Sequence, residues 1–216
     1  MIKAFLFDLD GVIVDTAVFH YKAWKRLANQ LGFDIDEEFN ETLKGISRMD
    51  SLDAILKYGG VILSQEEKEK YAKIKNEWYL ELVNQMTVND ILPGVEIFLK
   101  ESRNLGIKIA LGSASKNASL ILEKTGILSL FDALIDGNHV SKSKPDPEVF
   151  IKGAKALGVE EGDCVVFEDA FAGVQAAKAA NMLAVGIGNA EVLNNADIII
   201  KGLYEMSPSE IITKIL

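Results

Sequence analysis

From about residue 88 onward, short apolar segments alternate with amphipathic ones, and this alternation constrains the fold more than any other feature of the chain. The segments IKIALG, CVVF and MLAVGIG are typical of buried strands, and the stretches between them have helical periodicity. Strands that alternate with helices form right-handed crossovers, in which helices cover both faces of a parallel sheet. The sequence therefore predicts an α/β fold with a doubly wound, Rossmann-like parallel sheet.

The first strand of this sheet is predicted at the N-terminus, and a helical insertion follows it. Residues 1–9 form a short apolar segment, whereas residues 16–87 are rich in charge and helical periodicity and contain no clear strand. We expect residues 1–15 and 88–216 to form an α/β core and residues 16–87 to form an all-helical cap. Ser64 followed by Glu67 predicts a capping box at the start of the last cap helix.

Composition argues against several classes of protein. Hydrophobic residues make up 49% of the 216 residues, so the chain can bury a substantial core. The net charge of −9 argues against nucleic-acid binding, which needs a basic face. The sequence contains one cysteine, Cys164, and lacks both a signal-peptide pattern and an apolar run long enough to span a membrane. We expect a cytoplasmic monomer with no membrane or nucleic-acid partner.

Polar side chains follow several predicted strands at the points where the strands end. The carboxyl ends of parallel strands meet at one edge of a sheet, and ligands bind there in open α/β folds. The sequence therefore predicts a site at this edge. Its members are Asp8 and Asp10 after the first strand, Ser113 after IKIALG, Lys144 in the loop after FDALIDG, and Glu168 and Asp169 after CVVF.

The carboxylates among these residues indicate a metal site. Four acidic groups repel one another unless a cation lies among them, and oxygen donors without a histidine pair favour Mg²⁺ over zinc. Mg²⁺ orients and neutralises phosphoryl groups, and a hydroxyl and an ammonium such as Ser113 and Lys144 suit the same ligand. A carboxylate at such a site can also act as the nucleophile and form an aspartyl-phosphate.

Four segments, DLDGVIVDT, LGSAS, KSKPDPEVF and FEDAFAGV, resemble in this order the four motifs of the haloacid dehalogenase superfamily. The resemblance implies that Asp8 is the nucleophile and Asp10 the general acid/base. It also implies a Mg²⁺ site formed by Asp8, the backbone carbonyl of Asp10, Glu168 and Asp169. In the same way, Ser113 and Lys144 would hold the transferring phosphate, and the insertion would be the superfamily's helical cap.

The cap segments FHYKAW and LKGISRMDSL, together with SASKNA in the core, resemble the β-phosphoglucomutase group of this superfamily. In that group an arginine of the cap loop binds the non-reacting phosphate, a role that the resemblance assigns to Arg48; Met49 departs from the acidic residue expected there. The implied substrate-binding residues are Lys44, Gly45, Ile46, Ser47, Arg48 and Ser51 in the cap, and Ser113, Ala114, Ser115, Lys116 and Asn117 in the core.

Several of these residues have a plainer interpretation. Asp15 is expected to cap the first cap helix, and Thr16 is either a second cap or a hinge residue of the catalytic site that contacts solvent and phosphate. His20 is either a surface or packed histidine or a catalytic residue that contacts Asp10 or the reacting hydroxyl, and the resemblance favours the second. Lys44 and Arg48 could instead form a solvated basic face.

Other parts of the cap are expected to be structural. Residues 64–75, SQEEKEKYAKIK, are expected to form a solvent-exposed helix face. Trp24 and Trp78 are expected in the core of the cap.

The resemblance implies a phosphomutase that interconverts β-D-glucose 1-phosphate and glucose 6-phosphate through an aspartyl-phosphate and β-glucose 1,6-bisphosphate. One alternative is a Mg²⁺-dependent phosphatase of a sugar phosphate or phosphoglycolate, which would use the same Asp8 and Asp10. Another is a non-catalytic phosphate-binding protein on this fold. The intact set of acidic residues, serine and lysine argues against the latter.

Overall fold

The computed structural model describes residues 1–216, and its centre is a single sheet of six strands. All neighbouring strands are parallel, and their order is β3-β2-β1-β4-β5-β6. The predicted doubly wound α/β fold is confirmed. The strands are β1 (Ala4–Phe7), β2 (Lys108–Gly112), β3 (Ala133–Ile135), β4 (Cys164–Glu168), β5 (Leu183–Ile187) and β6 (Ile198–Ile200).

Nine α-helices accompany the sheet, and five of them lie between β1 and β2; the first four fall within residues 16–87, where the helical insertion was predicted. These four are α1 (Ala17–Gln30), α2 (Glu37–Glu41), α3 (Arg48–Tyr58) and α4 (Gln65–Val83). The others are α5 (Val95–Asn104), α6 (Ala118–Lys124), α7 (Glu148–Leu157), α8 (Phe171–Ala179) and α9 (Pro208–Ile215). No helix combines the length and the apolar character that a membrane span requires.

The central strand β1 is buried on both faces, which explains its uninterrupted apolar sequence. Because successive side chains of a strand point to opposite faces, Phe5 and Phe7 join a cluster of 29 buried residues, whereas Ala4 and Leu6 join a cluster of 17 on the other face. A third cluster of nine buried residues, with Trp24 at its centre, lies within the insertion. The insertion therefore has its own apolar core, to which Trp78 adds as predicted.

Local signals account for the start of α4, where the Ser64–Glu67 capping box is present as predicted. Helix α9 was not predicted, although Ser207 and Glu210 form the same kind of box and Pro208 occupies its first turn.

The end of β1 differs from the prediction, because the strand stops at Phe7 rather than at residue 9. Gly11 has a φ of +76°, and its N–H donates to the carbonyl of Val14 at 2.7 Å, so the chain turns directly after the strand. Asp8 and Asp10 therefore lie between the end of β1 and this turn: the N–H of Asp8 still donates to the carbonyl of Phe167 at 2.9 Å, and Asp10 forms an isolated bridge with Val14.

Candidate active site

The predicted site residues meet at the topological switch point of the sheet, where the order of successive strands reverses. Strand β1 lies between β2 and β4, and the chain crosses from β3 at one edge to β4 on the other side of β1. Such a switch point leaves a crevice at the carboxyl ends of the strands. Asp8 follows β1, Ser113 follows β2 and Glu168 ends β4, so the three strands deliver their polar residues to this crevice.

A cavity lies over this crevice, between the sheet and the insertion. The predicted site residues line it with four exceptions: Thr16, Ser47, Lys144 and Glu168. The last two are nevertheless connected to the cavity, because the Lys144 ammonium donates both to Glu168 and to Asp8, which lines it. Residues that line the cavity but were not predicted include Trp24, Asn40 and Lys75.

Asp8, Glu168 and Asp169 form a tight acidic cluster. One carboxylate oxygen from each lies within 4.8 Å of the others. The Lys144 ammonium donates to Asp8 Oδ1 at 2.6 Å and also to Glu168. Asp10 contributes no side-chain oxygen to this cluster, but its backbone N–H donates to Asp8 Oδ2 at 3.0 Å. These contacts fix the Asp8 carboxylate in one orientation at the end of β1.

The electrostatics of the cluster favour a bound cation. Burial and the nearby Asp8 raise the pKa of Asp169 to about 7. Burial by itself would lower the pKa of Lys144, but Asp8 and Glu168 raise it above its ordinary value. An all-oxygen set of three close carboxylates has the donor chemistry of a hard divalent cation, whose charge would favour their ionised forms.

Two glycines allow the acidic residues to approach the backbone so closely. A Cβ on Gly11 would lie 2.1 Å from Asp169 Oδ2, and a Cβ on Gly173 of α8 would lie 1.8 Å from Glu168 Oε1. Neither position has room for a side chain. The DG pair after β1 and the glycine in FAGV thus serve the geometry of the site as well as the local turn.

Asp10 is bound on its other side by the insertion. The hydroxyl of Thr16 donates to Asp10 Oδ1 and lies 2.9 Å from the hydroxyl of Tyr79. Thr16 makes no side-chain cap bond to α1, so its contact is with the site, whereas Asp15 accepts from Ala17 N at 3.1 Å as a local cap. Burial and Asp8 raise the pKa of Asp10 to about 7, a value suited to both giving and taking a proton.

Lys75 is the clearest residue that sequence reasoning missed. It lies within residues 64–75, which were predicted to be a solvent-exposed face, but it is only 1% exposed. Its ammonium is 2.8 Å from His20 Nδ1 and 4.2 Å from the centre of the Trp24 ring. Burial lowers the pKa of Lys75 and that of His20 well below their ordinary values. His20 lines the cavity, and its hydrogen bond is to Lys75 rather than to Asp10.

The segment between α2 and α3 brings cations to the cavity. The ammonium of Lys44 lies 3.3 Å from Asp169 Oδ2, and the half-buried Arg48 has no carboxylate within ion-pair distance. Burial lowers the pKa of Arg48. Both side chains line the cavity, so they do not form a solvated face. Ser47 does not line this cavity and caps α3 by accepting from Asp50 N at 3.2 Å, and Ser51 donates to the carbonyl of Ser47 at 2.9 Å.

The segment after β2 contributes hydroxyls, amides and one ammonium. Ser115 N donates to Ser113 Oγ at 3.1 Å, and Asn117 N donates to Ser115 Oγ at 3.2 Å. The Asn117 amide also donates to Asn76 Oδ1 of α4 at 2.9 Å, which joins the core to the insertion. Lys116 lines the cavity without an ion-pair partner. This segment therefore has donors available for an anionic ligand.

Glu148, the first residue of α7, orders the loop that carries Lys144. Its carboxylate accepts from the backbone N–H groups of Ser141 at 2.9 Å and Lys142 at 2.8 Å, and from the Lys152 ammonium at 2.6 Å. The ammonium and the backbone donors lower the pKa of Glu148 to about 2. The loop is thus held in place two residues before Lys144.

Comparison with known proteins agrees with this geometry. The model of the haloacid dehalogenase-like hydrolase family matches residues 2–181. The chain is 43% identical over 207 residues to β-phosphoglucomutase from Bacillus subtilis, covering 95% of this chain and 92% of that protein. It is 33% identical over 184 residues to a fructose-1-phosphate phosphatase from Escherichia coli, covering 84% of this chain and 94% of that one. The crystal structure of β-phosphoglucomutase from Clostridium difficile matches with a TM-score of 0.97 and 47% identity, covering all of this chain and 97% of that one.

Proposed function

Since the chain belongs to the haloacid dehalogenase-like hydrolase family, we propose that it is a Mg²⁺-dependent phosphomutase that interconverts β-D-glucose 1-phosphate and glucose 6-phosphate. Its high identity to two β-phosphoglucomutases over nearly their whole length supports this choice of substrate. The proposal divides the polypeptide into a phosphoryl-transfer core, residues 1–15 and 88–216, and a helical cap, residues 16–87.

The acidic cluster is suited to Mg²⁺. Asp8 and Asp169 would bind the ion through carboxylate oxygens, Asp10 through its backbone carbonyl, and Glu168 directly or through water. The ion would supply positive charge to the oxygens of the transferring phosphoryl group. Lys144 and Ser113 would bind the same oxygens, because both lie beside Asp8 at the carboxyl ends of the strands.

In the proposed reaction, Asp8 Oδ attacks the phosphorus of a hexose bisphosphate, and the bond between phosphorus and the sugar oxygen breaks. Asp10 donates a proton to that departing oxygen. In the next half-reaction Asp10 takes the proton from O6 of β-glucose 1-phosphate, and O6 accepts the phosphoryl group from Asp8. The resulting 1,6-bisphosphate turns over in the site, returns its C1 phosphate to Asp8 and leaves as glucose 6-phosphate.

The observation that carries the proposal is the unpaired Arg48. A phosphatase of this family needs one phosphate site, at Asp8, whereas a mutase also needs a site for the phosphate that does not react. A half-buried guanidinium without a carboxylate partner is costly until an anion binds, and its planar fork matches phosphate oxygens. Arg48 and the unpaired Lys116 provide such a second site in the cavity that contains Asp8.

A phosphatase remains the second candidate, because a relative of 33% identity bears that name. The two functions share Asp8 and Asp10 and differ in whether water or a sugar hydroxyl accepts the phosphoryl group from Asp8. Closure of the cap over the cavity would exclude water, and opening would let the bisphosphate reorient.

The direct test supplies the protein with β-glucose 1-phosphate, Mg²⁺ and a bisphosphate primer, and follows glucose 6-phosphate and inorganic phosphate in parallel. We expect glucose 6-phosphate to form much faster than phosphate, and chelation of the metal to stop both. Rapid release of phosphate without isomerisation would identify a phosphatase instead.

Replacement of Arg48 by alanine separates the two phosphate sites. We expect Arg48→Ala to lower kcat/KM for β-glucose 1-phosphate by about 10- to 100-fold, which corresponds to the loss of a charge-assisted hydrogen bond of about 1.5–3 kcal/mol. Mg²⁺-dependent hydrolysis of p-nitrophenyl phosphate, which has no second phosphate, should change little. Arg26→Ala is the matched control, because Arg26 lies in the same cap but stacks on Trp78, 4.1 Å from the ring centre. Equal losses for both substrates would argue against a second phosphate site.

A further inference from the structure

Asn40 is a buried amide for which the proposed reaction has no use. It belongs to the short helix α2, it is 7% exposed, and its side chain lines the cavity. Its backbone N–H donates to the carbonyl of Asp36, but its side chain makes no hydrogen bond to the protein. No completely enclosed side-chain nitrogen or oxygen lacks a partner in this structure, so the polar atoms of the amide retain access to the cavity.

An amide in this position requires a partner from the ligand. A carboxamide offers two N–H donors and two acceptor lone pairs, and leaving such a group unpaired on burial costs about 1–3 kcal/mol. The next turn of the chain carries the buried Leu43, which packs in the apolar cluster of the cap. An apolar side chain at position 40 would avoid this cost, so the packing of the cap does not explain the asparagine.

The chemistry of the amide suits a sugar ring better than a phosphate. The proposed phosphate sites contain cations, namely Lys144 beside Asp8 and Arg48 in the cap loop. Asn40 is neutral and can donate and accept at once, which matches a hydroxyl group. Trp24 and Leu43 line the same cavity and offer apolar surface to the C–H groups of a ring.

We propose that Asn40 selects the sugar by hydrogen-bonding a non-reacting ring hydroxyl of the hexose phosphate. This inference rests on the proposed function, because it takes a hexose phosphate as the ligand. It adds a specificity-determining residue on α2 to those of the cap loop and of the segment after β2. A deoxy sugar that lacks the hydroxyl, or an epimer that carries it in the opposite configuration, leaves the amide unpaired and is rejected.

The test is a comparison of substrates across variants. Asn40→Leu removes the hydrogen bonds at similar volume, and Asn40→Ala is a second variant in case leucine disturbs packing. We would measure kcat/KM for β-glucose 1-phosphate and for its 2-, 3- and 4-deoxy analogues. In the wild type, removal of at least one hydroxyl should lower kcat/KM by about 10- to 100-fold or more. In the Asn40 variants, removal of that same hydroxyl should lower kcat/KM by less than about threefold. For the other analogues, the loss of kcat/KM should be the same in the Asn40 variants as in the wild type.

Thr42→Ala provides the matched control for a disturbed α2. The Thr42 hydroxyl donates to the carbonyl of Phe39 at the end of this helix, and its side chain is exposed. This control variant should show the wild-type losses of kcat/KM across the analogues. The rate of p-nitrophenyl phosphate hydrolysis should be close to that of the wild type in all variants.

The outcomes separate the inference from the proposed function. If the wild type isomerises β-glucose 1-phosphate but the Asn40 substitutions lower kcat/KM by the same factor for this substrate and for every deoxy analogue, the function stands and the sugar contact is refuted. A lower melting temperature with unchanged selectivity would assign Asn40 a structural role and equally refute the contact. If the wild type isomerises no hexose 1-phosphate, the proposed function itself fails.

Discussion

We expect Asp8→Asn to abolish the formation of glucose 6-phosphate, with a fall in kcat of at least about 10⁴-fold. The carboxylate of Asp8 accepts from the Lys144 ammonium at 2.6 Å and from the N–H of Asp10 at 3.0 Å, so its oxygens are held in one orientation for nucleophilic attack. An amide of the same size keeps the shape but is a very poor nucleophile. A coupled assay with β-glucose 1-phosphate, Mg²⁺ and a bisphosphate primer measures the loss.

A covalent readout shows whether the loss reflects the nucleophile. Incubation with acetyl phosphate and Mg²⁺ should add one phosphoryl group to the mass of the wild-type protein and none to that of Asp8→Asn. Asp15→Asn is the matched control: Asp15 is exposed and caps α1 through the N–H of Ala17, so this variant should keep nearly full activity. Full turnover by Asp8→Asn would refute the assignment of the nucleophile.

The fold could be predicted because its signals are local. Each buried strand is a short apolar run, each βα unit repeats the same alternation, and parallel strands leave few alternatives for their order. The position of the site followed from one general rule, that strand ends converge at the carboxyl edge of the sheet. This rule predicts that Asp8, Ser113 and Glu168 lie close together, and the structure places them around β1.

The insertion was harder to predict, because its polar residues are positioned by contacts between helices. Lys75 lies among the charged residues of α4, and its burial depends on His20 and Trp24 of α1, more than 50 positions earlier. A local signal was nevertheless present: Ala72, Lys75 and Tyr79 are spaced by three and four residues and share one buried face. Asn40 has no comparable local signal, because nothing in the sequence near it shows that α2 faces a cavity.

Sequence also leaves open how the charges of the site are paired. The Lys144 ammonium contacts Asp8, 136 positions away, and Glu168, 24 positions away. This arrangement depends on how the loop before α7 lies against β1 and β4. The resemblance to a family implied that Lys144 belongs to the site, but the ion pairs with both carboxylates are a finding of the structure.

Asp10→Asn is expected to have the second-largest effect, and its size should depend on the leaving group. A general acid contributes about 10²- to 10⁴-fold when the departing oxygen needs a proton, as a sugar alkoxide does. The p-nitrophenolate ion leaves without one. We therefore expect phosphorylation of Asp8 by hexose bisphosphate to slow by about 10²- to 10⁴-fold and phosphorylation by p-nitrophenyl phosphate to slow much less.

The geometry around Asp10 makes this comparison interpretable. Its side chain is outside the cluster of Asp8, Glu168 and Asp169, so an asparagine leaves the three carboxylates that would bind Mg²⁺ in place. The Thr16 hydroxyl, which donates to Asp10, can donate equally to the carbonyl oxygen of an amide. Single-turnover rates for the two phosphoryl donors, measured at saturating Mg²⁺, isolate the step. Equal slowing for both donors would mean that Asp10 supports the position of Asp8 rather than transferring the proton.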